Sequence, residues 1–230
     1  SSVVLQRFVT TSVIIVKGAG VSSVGVGAVV LSDVSLGQAL TISNLNFSSS
    51  STRIPGAPWA SSGRNRWVER SALLIVNVYI AVRTNYESFD VVNCGFFRAT
   101  FAIRNISYKR VGCGNWFCRQ LSVRQCVLSG ATFLLADADF ARDGYANPII
   151  DSSTSVFNTT LLVRDVTGPF MGTQHALIIA PLATFCTIVI DGVRGFGRVH
   201  LSGGSRSSSF GNVVLLRDLV VEVGVTVEHF

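Results

Sequence analysis

Lysine is nearly missing from this chain: Lys17 and Lys109 are the only two, so 17 of the 19 cationic side chains are arginine. Charged residues of both signs make up 14% of the 230 residues, well below the usual quarter. Hydrophobic residues reach 48%, which argues against disorder, because a disordered chain needs low hydrophobicity and high charge. No segment keeps a helical i, i+3, i+4, i+7 pattern, so long amphipathic helices are not expected. The longest uncharged apolar run, Ala176 to Ile190, contains Pro181 and falls short of the roughly 20 residues of a membrane-spanning helix. It reads as core. The net charge of +6 is scattered; it allows an acidic partner and does not argue for nucleic acid. Five cysteines are too few, and odd in number, for the dense disulfide framework of a small secreted domain.

What the chain does have is a repeat. Leu161-Leu162-Val163-Arg164-Asp165-Val166 returns as Thr187-Ile188-Val189-Ile190-Asp191-Gly192 and as Val214-Leu215-Leu216-Arg217-Asp218-Leu219. With the Asp or Asn as position zero, further copies centre on Asp33, Asn44, Asn77, Asn93, Asn105, Gln125 and Asp137. Position −2 is always apolar and position +1 mostly apolar or small. One series (44, 77, 105, 137, 165, 191, 218) recurs every 26 to 33 residues, and 33, 93 and 125 fall within those intervals. Short Val/Ile/Leu/Phe runs bounded by Gly, Ser and Asn/Asp read as strands. Two or three of them in a period of about 27 residues describe a stacked solenoid.

The repeat also predicts a geometry. Positions −4 and −2 share one face of a strand, and in a straight strand +1 would point the other way. Since +1 is apolar too, the chain bends at position zero, where Asn and Asp tolerate left-handed backbone angles. Strand, one-residue corner, strand, repeated per coil, predicts an all-β fold: a right-handed parallel β-helix with coils of about 27 residues and long loops at one corner. Another β-solenoid, a sandwich or a leucine-rich-repeat horseshoe are the competitors. The horseshoe consensus, however, puts two residues between the last strand Leu and the Asn, where this chain has one. Residues 1–230 read as a single β-helix segment with inserted loops at 49–71 and 109–119. Ser1 opens inside a strand-like run with no signal peptide, which predicts a piece of a longer protein whose neighbouring segments are partners.

Coils such as Leu-Leu-Val-Arg-Asp165-Val and Leu-Ser-Val-Arg-Gln125-Cys, with Ser/Val/Gly-rich returns, resemble the pectate-lyase-like β-helix superfamily. More narrowly they are similar to the kinetoplastid dispersed gene family of surface proteins. The resemblance covers most of the chain and rests on degenerate repeats. It implies a membrane-associated or secreted glycoprotein of adhesive role.

Chemistry is sought first in the motifs of β-helix polysaccharide enzymes, the main alternative function. The polygalacturonase-like segments Asn-Thr-Asp, Asp-Asp, Gly-His-Gly and Arg-Ile-Lys do not occur. The one acidic cluster, Asp137, Asp139 and Asp143 beside Arg142, offers oxygen ligands for Ca²⁺ but reads better as a corner and its solvated turn. His175, His200 and His229 lie on separate coils without partners at ligand spacing, so neither a metal site nor a catalytic triad is expected. No cofactor is expected, and the chain is read as a non-enzyme.

Three sequons, at Asn46, Asn105 and Asn158, are glycosylation acceptors if the chain is secreted. Cys94 and Cys126 share the +1 position one coil apart, within disulfide reach, and Cys113 with Cys118 closes a small loop; reduced core thiols are the alternative. The candidate binding set lies on the loops: Trp59, Trp67, Arg64, Arg66 and Arg70 in 49–71, then Tyr86, Trp116 and Tyr145. Stacked in register, those loops line one flank with aromatic faces and planar cations, which suit a glycan or a protein ligand. The expected function is cell-surface or secreted recognition or adhesion; a purely structural stalk, its aromatics folded inward, is the other alternative.

Overall fold

The structure, a computed structural model, describes residues 2–10, 14–17, 28–36, 40–43, 45–48, 72–82, 89–110, 121–140, 148–168, 176–203 and 211–229. Among them are twenty-one strands and no helix, and every strand pair is parallel. The chain is a parallel β-solenoid with a coil spacing of about 28 residues. A first wall stacks the leading halves of β1 (Ser2–Thr10), β3 (Ala28–Leu36), β6 (Ala72–Val82), β9 (Thr100–Arg110), β12 (Thr132–Asp139) and β15 (Thr160–Thr167). It continues in β18 (Thr187–Asp191) and β20 (Val213–Arg217). The trailing halves of the long strands form a second, short wall. The third wall holds β2 (Ile14–Lys17), β4 (Leu40–Ser43), β7 (Phe89–Val92), β10 (Ser122–Arg124), β13 (Pro148–Ile150) and β16 (Ala176–Ile179). The last parts of β19 (Arg194–Ser202) and β21 (Val220–Glu228) extend it. A fourth wall is a separate sheet of β5 (Asn46–Ser48), β8 (Gly95–Phe97), β11 (Val127–Ser129), β14 (Ser155–Phe157) and β17 (Leu182–Thr184).

The expected bend is present. In β12, Phe133 and Leu135 are buried, Asp137 is exposed, and Ala138 is buried again, so the inward set changes phase at the aspartate. The same switch separates Leu161 and Val163 from Val166 across Asp165. Asn105, Asp137, Asp165 and Asp218 have φ of 48°, 53°, 51° and 46°, the left-handed conformation that turns the strand without breaking its pairing. Their side chains are exposed, which avoids stacking carboxylates at strand spacing in a dry core.

Two assignments of the repeat are corrected by the pairing. Asp33, not Asn44, stacks on Asn77 in the first corner, because Ser32 and Val34 pair with Val76 and Val78. Asn44 itself lies outside the described residues; Ser43 before it pairs with Val92 of a third-wall strand, and Asn93 and Gln125 mark a second corner between the third and fourth walls. In the coil of β18 the corner is Gly192 (φ 66°), not Asp191, which pairs with Arg164 and Arg217. The inward residues there are Ile190 and Val193, and Val189 is only half-buried. Glycine serves where Asn or Asp serves elsewhere, since all three tolerate positive φ.

The core is a set of ladders. Leu31, Ile75, Ile103, Leu135, Val163 and Ile190 form one column along the first wall, each fully buried. Ile42, Val91, Val123, Ile150, Ile179 and Leu201 form another along the third. Between walls, Phe47, Phe96 and Phe101 stack face to face at 4.9 Å, and Phe133 meets Phe101 edge-on at 5.0 Å. Each coil covers the one below, so burial accrues by repetition rather than around one centre.

Candidate recognition edge

A third corner joins the fourth wall back to the first, and, like Gln125 (φ 53°) in the second, it departs from the Asn/Asp/Gly rule. Its residues are Arg98, Gly130, Asn158, Phe185 and Gly211, all at positive φ between 45° and 64°. Gly130, Gly211 and Asn158 suit that conformation. Arg98 (φ 52°) and Phe185 (φ 53°) do not, because a Cβ crowds the carbonyl there at roughly 1–2 kcal/mol per residue. Coil-to-coil hydrogen bonds hold the row: Arg98 N–H donates to Ser129 O at 2.9 Å, Gly130 N–H to Phe157 O at 3.0 Å, and Asn158 N–H to Thr184 O at 3.0 Å.

Just inside both the second and third corners, a small polar side chain replaces the rungs that the bend disrupts. Thr159 Oγ1 donates to Phe157 O at 2.9 Å and accepts from Ala131 N–H at 3.3 Å. Cys186 Sγ donates to Thr184 O at 3.2 Å, and its own N–H is taken by Asn212 Oδ1 at 2.8 Å. At the second corner Cys126 Sγ donates to Arg124 O at 3.2 Å and accepts from Cys94 N–H at 3.4 Å. A thiol here is a small group that both donates and accepts, satisfying backbone that would otherwise be buried unpaired.

Cys94 and Cys126 therefore occupy the adjacent inward positions expected of them, as hydrogen-bonded thiols and not as a disulfide. The hydrogen bond with Cys94, then burial, pushes the Cys126 thiol up; burial pushes up Cys186. Cys113 and Cys118 lie outside the described residues.

On the outer surface of the third corner three rings reach solvent. Phe97 and Phe157, two coils apart in the fourth wall with Ser129 between them, are 42% and 51% exposed, and Phe185 is 57% exposed. Phe185 meets Phe157 edge-on with centroids 6.0 Å apart. Its ring lies over Gly211, where an added Cβ would come within 2.5 Å of it. Arg98 is exposed, and its stem passes 3.4 Å from where a Cβ on Gly130 would sit. Aromatic faces, an apolar edge and a planar cation are thus held on a rigid rail.

The expected loop residues Trp59, Trp67, Arg64, Arg66, Arg70, Tyr86, Trp116 and Tyr145 all lie outside the described residues, and only the strands their segments connect are known. Segments 83–88, 111–120, 141–147 and 169–175 each join the second wall to the third, so four long connections share one side. Segment 49–71 differs from expectation: it joins β5 to β6, one coil before Arg98 joins β8 to β9. The strands that flank it, β5 and β6, belong to the fourth and first walls. Of the sequon residues, Asn105 and Asn158 are exposed at left-handed corners, while Asn46 begins β5 and its side chain is outside the described set. Asp137 and Asp139 are exposed; Asp143, Arg142 and His175 are outside the described residues. His200 is half-buried on β19, and His229 is exposed. Among the described residues no three His, Cys, Asp or Glu side chains gather as a metal site.

The repeat template missed Arg98 and Phe185 because it searched for Asn and Asp. A signal was present in the residues that follow: Ala99-Thr100, Ala131-Thr132, Thr159-Thr160 and Cys186-Thr187 form a second series of small residue then Thr. No protein-family model, curated protein or solved structure matches the chain.

Proposed function

We propose that this β-solenoid is a non-catalytic recognition or adhesion module of a secreted or surface-attached protein, binding a glycan or a protein ligand along its third corner. The observation that carries the reading is the exposure of Arg98 and Phe185 in a backbone conformation that disfavours both. Gly or Asn would close the same corner at lower cost, and strain retained at an exposed position is a recurrent mark of functional sites. Phe97 and Phe157 extend the surface, and the segment bearing Trp59, Trp67 and four arginines connects a fourth-wall strand to a first-wall strand, as Arg98 does one coil later. Aromatic rings and arginine are the groups that dominate binding patches. The sequons at Asn105 and Asn158 and the resemblance to surface β-helix proteins support an extracellular setting.

The test is an array of neutral and acidic glycans, probed with the glycan-free 230-residue chain and with Phe157→Ser/Phe185→Asn and Trp59→Ala/Trp67→Ala variants. Binding by the parent, and at least tenfold weaker binding by both variants at unchanged melting temperature, is the expected result. Asn158 lies beside both rings in the corner row, so a chain glycosylated there should bind more weakly. Equal binding by parent and variants, or none by the parent to glycans or to a cell surface, removes the edge as a recognition site.

A further inference from the structure

Cys94 and Cys126 stand immediately after the second corner on successive coils, just before β8 and β11, and both are buried. Their register is fixed on both sides. Val91 and Val92 pair with Val123 and Arg124 before the corner, and Gly95 pairs with Val127 after it. One level of stacking separates Cα atoms by about 4.8 Å, inside the roughly 4.4–6.8 Å that disulfides span.

The sulfurs are also directed toward this pairing. Cys126 Sγ lies on the Cys94 side of its own coil, accepting from Cys94 N–H at 3.4 Å and donating to Val91 O at 3.5 Å. The two thiols hydrogen-bond to each other. Cys94 Sγ faces the preceding coil only through its longest contact, 3.9 Å to Ile42 O, so turning toward Cys126 gives up little. Cys186 is the contrast. It holds the equivalent position at the third corner, but its neighbours in the column are Thr159 and Asn212, so no described thiol stacks on it.

We propose that Cys94 and Cys126 are a disulfide-forming pair, oxidised as the chain folds in an oxidising compartment, and that the bond staples two successive coils where they enter the fourth wall while Cys186 stays reduced. Two S–H bonds break and one S–S bond forms. The two electrons and two protons pass to a low-molecular-weight disulfide, which leaves as two thiols. Exchange runs through a thiolate, and in the folded chain the thiol–thiol hydrogen bond and then burial hold Cys126 protonated. The bond therefore forms while the corner is still open, and the same burial afterwards shields it from reductants. The staple sits at the start of β8, the strand that carries Phe97 to the third corner. Only the oxidising compartment rests on the secreted setting proposed above; the chemistry is tested in solution, so a failure to bind glycans leaves it standing.

The test is refolding of the denatured, reduced 230-residue chain in mixed oxidised and reduced glutathione, followed by alkylation in denaturant and peptide mapping by mass spectrometry. The expected product links the Cys94 and Cys126 peptides with the loss of two hydrogens, and Cys186 carries the alkyl group. Melting is compared in a Cys113→Ser/Cys118→Ser background, where only these three thiols remain. The bond closes a loop across 32 positions, so the oxidised chain should melt about 5–15 °C above the same chain refolded in dithiothreitol. That difference should survive Cys186→Ala and vanish in Cys94→Ala; comparing the two redox states of each variant cancels any packing loss. Alkylation of both Cys94 and Cys126, a bond from either to a different cysteine, or a linked chain that melts no higher than the reduced one overturns the proposal.

Discussion

Replacing Phe185 by Asn separates a displayed ring from a structural one. The backbone term favours the variant: Asn tolerates φ near 53°, so about 1 kcal/mol of left-handed crowding is relieved. The side-chain terms oppose it. With 57% of Phe185 exposed, less than half of the 1.5–3 kcal/mol of a fully buried phenylalanine is at stake, about 1 kcal/mol. The edge contact with Phe157, at 6.0 Å between centroids, adds about 0.5 kcal/mol. The sum leaves Phe185→Asn within about 1 kcal/mol of the parent. Phe133→Ala is the control, because that ring is fully buried, touches Phe101, and its loss should cost about 3–5 kcal/mol. Guanidinium denaturation of the three proteins, fitted with a common slope, gives the differences. A loss above about 2 kcal/mol for Phe185→Asn would show that the ring anchors its own corner, and the case for the recognition edge would fall with it.

Val163→Asp places a carboxylate in the fully buried column between Leu135 and Ile190 and should cost several kcal/mol, whereas Arg164→Ser, one residue on and facing out, should cost no more than about 0.5 kcal/mol; equal losses in thermal melts would refute the strand register. The thiols set an alkaline limit. Folding raises Cys126 and Cys186 above the ordinary thiol value of 9.0, so the unfolded chain loses those protons first. Stability from this source is complete below pH 9 and declines as pH rises beyond it, by up to about 1.4 kcal/mol per thiol per pH unit. Denaturation midpoints between pH 8 and 10.5 should therefore fall more steeply for the parent than for Cys126→Ala/Cys186→Ala, and parallel curves would contradict the assignment.

The fold was legible in the sequence because its determinants are local. Alternation of Leu161 and Val163, the phase change to Val166 and the left-handed tolerance of Asp165 all lie within six residues, and together they define strand, corner and strand. The exposure of Asp137, Asp165 and Asp218 followed from electrostatics alone. Which corner a copy occupies is not a local property. Asp33 and Asn44 fit one template equally well, and only pairing with Val76 and Val92, on later coils, separates the first corner from the second. Asp191 loses the corner to Gly192 for the same reason: hydrogen bonding to the strands above and below fixes its register, and the Asn/Asp preference is too weak to oppose that. The thiol state of Cys94 and Cys126 was open in sequence, since stacking at strand spacing permits either a disulfide or a ladder of hydrogen bonds. Arg98 and Phe185 could not be found by propensity, because they hold their conformation against it. A corner set by the two walls it joins imposes positive φ on whatever residue stands there, and the tertiary structure alone decided that an arginine and a phenylalanine stand there, exposed.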